Sequence, residues 1–83
     1  MKLEISRDAG RALRKSNKRE LIARKIALLV EQPLSQQANV IRLQGRTAYR
    51  LRVQDWRVIF RIEGDTIIID SIEPRGTAYE ERS

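Results

Sequence analysis

Polar and apolar residues alternate from Lys2 to Ile5, with Leu3 and Ile5 on one side, which predicts a short opening strand. Ser6 can cap a helix through Arg7–Ser16, where Ala9, Ala12 and Leu13 form a narrow apolar stripe that Gly10 weakens. Asn17, with Glu20 three residues on, has the spacing of a capping box for a second helix from Lys18 to about Glu31. Ile22, Ile26 and Leu29, flanked by Leu21, Leu28 and Val30, make its broad apolar face, and Pro33 closes it. The two helices are expected to form a hairpin.

From Val40 the period becomes two. Val40–Leu43 reads as a short strand, Gly45-Arg46-Thr47 as a turn, and Ala48–Val53 and Trp56–Ile62 as strands flanking Gln54-Asp55. If those two residues are the whole loop, Val53 faces Trp56, Leu51 faces Val58 and Tyr49 faces Phe60 on the core side. The same register sets Arg52 opposite Arg57 and Arg50 opposite Ile59 on the other side, with Arg61 further along. A last strand, Thr66–Ile72, follows the Gly64-Asp65 turn, and Pro74 and Gly76 break the chain after it. The expected fold is α+β: one domain over residues 1–83, with an N-terminal short strand and a helical hairpin packed on a mainly antiparallel sheet of about four strands.

Composition narrows the chemistry. With Cys 0 and His 0, zinc frameworks, thiol nucleophiles and imidazole acid–base catalysis are excluded, so only carboxylates remain as metal ligands, and neither a metal site nor a cofactor is expected. The longest uninterrupted apolar run, Ile26–Val30, is far short of the ~20 residues that span a bilayer, and no membrane partner is expected. Met1 leads directly into a charged, patterned segment without a signal-peptide pattern, so a cytoplasmic location is expected.

The formal charge of +6 on 83 residues points to a polyanion as partner or substrate, and it is banded. Residues 1–30 carry nine bases against three acids, residues 42–61 six arginines against Asp55 alone, and the remainder is acidic. Every lysine lies at or before Lys25. The later bases are all arginine, whose planar fork suits bidentate contact with phosphate. Arg50, Arg52, Arg57 and Arg61 on one side of a hairpin repel one another unless an anion sits there, and arginine cannot relieve the strain by deprotonating. They form either a phosphodiester site or solvated side chains paired with Asp55, Asp70 or Glu63. Arg11, Lys15 and Lys18, bordered by Arg7 and Arg14, share a helix face that either grips RNA backbone or is an ordinary charged exterior. Trp56, Tyr49 and Phe60 read as core. Tyr79 either pins the C-terminal segment or stacks on a base and donates its phenolic proton.

The run Tyr49–Ile62, followed by Ile67–Asp70 and Arg75-Gly76-Thr77-Ala78-Tyr79-Glu80, resembles the RelE branch of the RelE/ParE toxin superfamily. Ile41-Arg42-Leu43-Gln44-Gly45 resembles the segment that leads into that family's sheet. The resemblance implies a type II toxin that cuts mRNA in the ribosomal A site and so inhibits translation. Its implied partners are the ribosome, mRNA and a RelB-like antitoxin, through which the complex binds operator DNA. Arg50, Arg52 and Arg57 match the family's strand-borne basic positions, Arg75 its late arginine and Tyr79 its late tyrosine. There the 2′-hydroxyl attacks phosphorus and leaves a cyclic phosphate, which requires charge compensation at the phosphorane and transfer of two protons. Family members with a lysine or histidine at the strand positions have a proton acceptor there; here both strand positions are arginine, which leaves the base to the RNA, the ribosome or a carboxylate such as Asp55 or Glu73. Other functions on this fold are gyrase inhibition in the manner of ParE and a non-catalytic, decayed module that still binds RNA and antitoxin.

Overall fold

A computed structural model of the chain describes residues 1–45 and 47–74. In chain order it contains β1 (Lys2–Ile5), α1 (Arg7–Lys15), α2 (Arg19–Glu31), a 3-10 segment (Pro33–Asn39), β2 (Val40–Arg42), β3 (Ala48–Val53), β4 (Trp56–Glu63) and β5 (Thr66–Pro74). The sheet order is β1-β5-β4-β3-β2. β1 joins as a fifth strand, parallel to β5, and every other pairing is antiparallel. With β1 and β2 at opposite edges, the helical hairpin carries the chain across one whole face of the sheet.

Both helices form where the apolar period predicts, but their ends are held differently. Ser6 caps α1: its Oγ accepts from the Ala9 N–H at 3.0 Å and donates to the Asp70 carbonyl at 2.9 Å, fastening the helix to β5. The capping box expected at Asn17 and Glu20 does not form. The helix starts at Arg19 with no side-chain cap, and the buried Ser16 hydroxyl accepts from the Lys18 N–H at 2.9 Å instead. Ser16 is buried at the inter-helix corner, while Asn17 is exposed and makes no capping contact among those described. Past Pro33 the chain makes a 3-10 segment that the sequence pattern does not signal.

The core is one layer between helices and sheet. Ala9, Ile22, Ile26 and Leu29 meet Leu51, Val53, Val58, Phe60, Ile67, Ile69 and Ile72. The Tyr49 and Phe60 rings stack across β3 and β4 with centroids 5.4 Å apart. Ile69 and Ile72 both face inward, although they are three residues apart, because a bulge interrupts the β4–β5 register between Phe60↔Ile69 and Ile59↔Ser71 and leaves Asp70 without a partner. Leu3 and Ile5, at the edge of the sheet, stay 40% and 42% exposed.

Two substitutions test this packing by chemical denaturation. Phe60→Ala, at a side chain 1% exposed, is expected to cost about 3–5 kcal/mol, a large share of a small domain's total. Gly10→Ala is expected to gain about 0.5–1 kcal/mol, because an added methyl would meet only Arg14 Nη1 at 3.5 Å and Ile5 Cγ2 at 3.8 Å, ordinary contacts.

Candidate functional site

The face of the sheet away from the helices carries the expected arginines. Observed pairing matches the expected register: Val53↔Trp56, Arg52↔Arg57, Leu51↔Val58, Arg50↔Ile59 and Tyr49↔Phe60. A two-residue loop makes this possible, with Gln54 taking a left-handed φ of 53°. Since Leu51, Val53, Val58 and Phe60 point into the core, alternation sends Arg50, Arg52 and Arg57 outward together.

These three line a recess of about 120 Å³ with Gln54 and Trp56. That volume is well under the ~300–1,000 Å³ of pockets that enclose whole small molecules and suits a single anionic group. Among the described residues, ion pairs go only to Arg61, so no carboxylate compensates the trio. Arg50 lies between Ile59 and Ile41 on its two neighbouring strands. Burial, then the charges of Arg57 and Arg52, push its guanidinium below the usual arginine range. A base lowered in this way opposes folding wherever it is protonated; that holds throughout neutral pH, where arginine keeps its charge.

Arg61 behaves differently. Its Nε donates to Asp70 Oδ2 at 2.8 Å, its Nη2 to Asp70 Oδ1 at 3.0 Å and its Nη1 to Glu63 Oε2 at 2.6 Å. The Asp70 hydrogen bond, then the Asp70 charge, raise its pKa. Of the pairings weighed for the arginine face, those with Asp70 and Glu63 form at Arg61 and not at the other three. Glu73 faces Arg57 across β4 and β5 without an ion pair, and Asp55 sits exposed in the loop.

Arg11, Lys15 and Lys18 are exposed on the helical layer, which covers the opposite face of the sheet, so the fold does not bring them to the trio. Arg75 and Tyr79 lie outside the described residues. Two neighbours of the trio were not singled out in the sequence. Lys25 of α2 and Gln54 share a groove with Arg52, Val53 and Asn39. Gln54 follows from the hairpin register, whereas the approach of Lys25 depends on how α2 lies on the sheet. Trp56, expected only as core, packs against the core and also walls the recess. Among the described residues no group of three or more acidic side chains gathers to hold a metal ion, and no helix is long and apolar enough to cross a membrane.

Residues 3–79 match the family described as ParE toxin of type II toxin-antitoxin system, parDE. The chain belongs to that family. It is a toxin of the RelE/ParE superfamily, and solved structures share its fold. The RelE chain of the archaeal RelE–RelB complex from Pyrococcus horikoshii OT3 is 26% identical, with 90% of this chain and 94% of that one covered and a TM-score of 0.75. YafQ from E. coli strain BL21(DE3) is 16% identical over 93% and 96% of the two chains, with a TM-score of 0.76. A YoeB/ParE toxin from Agrobacterium tumefaciens is 17% identical over 89% and 98%, with a TM-score of 0.73. No curated protein matches the chain.

The uncompensated arginines in this toxin make a prediction of their own. Arg52→Gln removes a like charge directly opposite Arg57 and is expected to raise stability by about 0.2–1 kcal/mol at low salt, with the gain shrinking as salt rises. The same change is expected to weaken binding of a single-stranded oligonucleotide and lower the slope of log affinity against log salt by about 0.7. Both wild-type affinity and the effect of the change are expected to stay flat from about pH 6 to 9, because arginine as a residue type keeps its charge across that range. Thermal unfolding and salt-dependent titrations check these outcomes.

Proposed function

We propose that this toxin is a ribosome-dependent endoribonuclease that cleaves mRNA in the A site and acts in the cytoplasm. The observation that carries the reading is the recess bordered by Arg50, Arg52 and Arg57, a phosphate-sized site whose positive charge no described carboxylate cancels. In the reaction the 2′-hydroxyl oxygen forms a bond to the adjacent phosphorus while the bond to the 5′-oxygen breaks, leaving a 2′,3′-cyclic phosphate and a free 5′-hydroxyl. Negative charge grows on the phosphorane oxygens, and three strand-borne guanidinium groups stabilise it with little reorganisation. The proton leaving the 2′-hydroxyl needs an acceptor that arginine cannot be. Glu73, opposite Arg57 in register, suits that role better than Asp55 in the exposed loop. By resemblance, Arg75 adds a further positive charge and Tyr79 donates the proton to the leaving oxygen.

The solved RelE–RelB complexes support a RelB-like antitoxin as partner. A disordered, acidic, amphipathic segment that folds on binding could cover apolar and basic surfaces together. The basic face of α1, with Arg11, Lys15 and Lys18, is then free to meet ribosomal RNA, and operator DNA is reached through the antitoxin.

The family match supports a second reading, gyrase inhibition, because that family is described by ParE. Brief induction without antitoxin separates the two. Endoribonuclease action predicts arrested translation and new mRNA 5′ ends in phase with codons, with Arg57→Ala lowering cleavage at least a hundredfold while thermal unfolding stays cooperative. DNA-damage signalling with intact polysomal mRNA would overturn this reading in favour of gyrase.

A further inference from the structure

On the same open face, further along β3 and β4, lies a much larger depression of about 950 Å³, lined by Arg42, Gly45, Thr47, Ala48, Arg61 and Asp70 among others. Its floor is low because Ala48, which shares the outward side of β3 with Arg50 and Arg52, carries only a methyl group. Ala48 pairs directly with Arg61.

Arg61 is fixed there. Each of its three guanidinium nitrogens holds a carboxylate oxygen, two of them from Asp70 in a fork and one from Glu63. Two consequences follow. Its charge is answered by its own neighbours, which disfavours a role as a phosphate clamp like the trio. Its plane is locked by the forked contact, while the side chain remains 38% exposed. A rigid, flat guanidinium with occupied edges is suited to stacking on another flat π-system. Arg42 also lines the recess, but its pairing with Tyr49 starts its side chain from the other face of the sheet.

Size and position agree on the occupant. The recess at the trio suits one phosphate, whereas this one has room for a whole nucleotide. Arg57 and Arg61 are four residues apart on one strand, about 13 Å, within reach of a short length of single strand. We propose that Arg61, clamped by Asp70 and Glu63 at the recess that Ala48 also lines, is a stacking platform for one nucleobase of the RNA strand whose scissile phosphate lies at Arg50, Arg52 and Arg57. This inference rests on the endoribonuclease reading and adds a residue that positions the substrate.

The test uses the full chain on ribosomes programmed with short messages in which each nucleotide near the cut is made abasic in turn. Wild type is expected to lose about fivefold in cleavage rate at one position only, the low end of base-stacking effects. Arg61→Lys keeps the charge and removes the plane. It is expected to cut the unmodified message about fivefold more slowly and to be indifferent to the abasic nucleotide at that position. Asp70→Asn, which frees the plane without deleting it, is expected to show a smaller loss at the same position and serves as the readout if Arg61→Lys does not fold. The platform is overturned if no abasic position slows wild type, or if the abasic and Arg61 effects multiply as independent ones do. Unmodified message left uncut by wild type would remove the endoribonuclease reading and this inference together. Arg57-dependent cleavage that ignores Arg61 would remove the platform alone.

Discussion

The two-residue loop Gln54-Asp55 sets the register on which both faces of the molecule depend. With Val53 opposite Trp56, Tyr49, Leu51, Val53, Trp56, Val58 and Phe60 turn toward the helices, while Arg50, Arg52 and Arg57 turn away together with Ile59. A slip of one residue would turn one strand over against the other, burying Arg50 and Arg52 and exposing Leu51, or burying Arg57 and exposing Val58 and Phe60. Core burial therefore holds the arginines together against their own repulsion. Gln54 completes the turn with a left-handed backbone, a conformation that a non-glycine residue adopts at some energetic cost.

A second local irregularity divides the open face. The bulge at Asp70 restores the inward phase of Ile72 and leaves the Asp70 carboxylate free to fork onto Arg61. The carbonyl of the same residue receives the Ser6 hydroxyl, so the start of α1, the bulge and the Arg61 clamp are fastened at one point. Towards Glu63 the positive charge is answered. Around Arg50, Arg52 and Arg57 no described carboxylate answers it.

The site keeps its charge at every physiological pH because it is built from arginine, and it lies on strands, which are stiffer supports than loops. Arginine is no proton acceptor, and the described carboxylate in register with Arg57 is Glu73 of β5. The fold is shared by proteins of low identity, so it does not by itself fix the chemistry, which depends on the side chains a given chain carries.

Much of this was legible without coordinates. Period-two alternation and a two-residue gap determined the hairpin register, because side-chain direction in a strand is a strictly local property, and with it the shared face of Arg50, Arg52 and Arg57. The apolar stripe of α2 and the Ser6 cap are equally local. Contacts distant along the chain were not legible: the parallel seating of β1 beside β5, the 3-10 segment after Pro33, the Ser16 contact that replaces the Asn17 cap, and Lys25 beside Arg52. The sequence by itself determined which residues face the same way. Only the tertiary structure decided which charges are answered, since the choice of Arg61 over Arg57 as the partner of Asp70 depends on where the bulge falls between two strands, a packing outcome that no local pattern encodes.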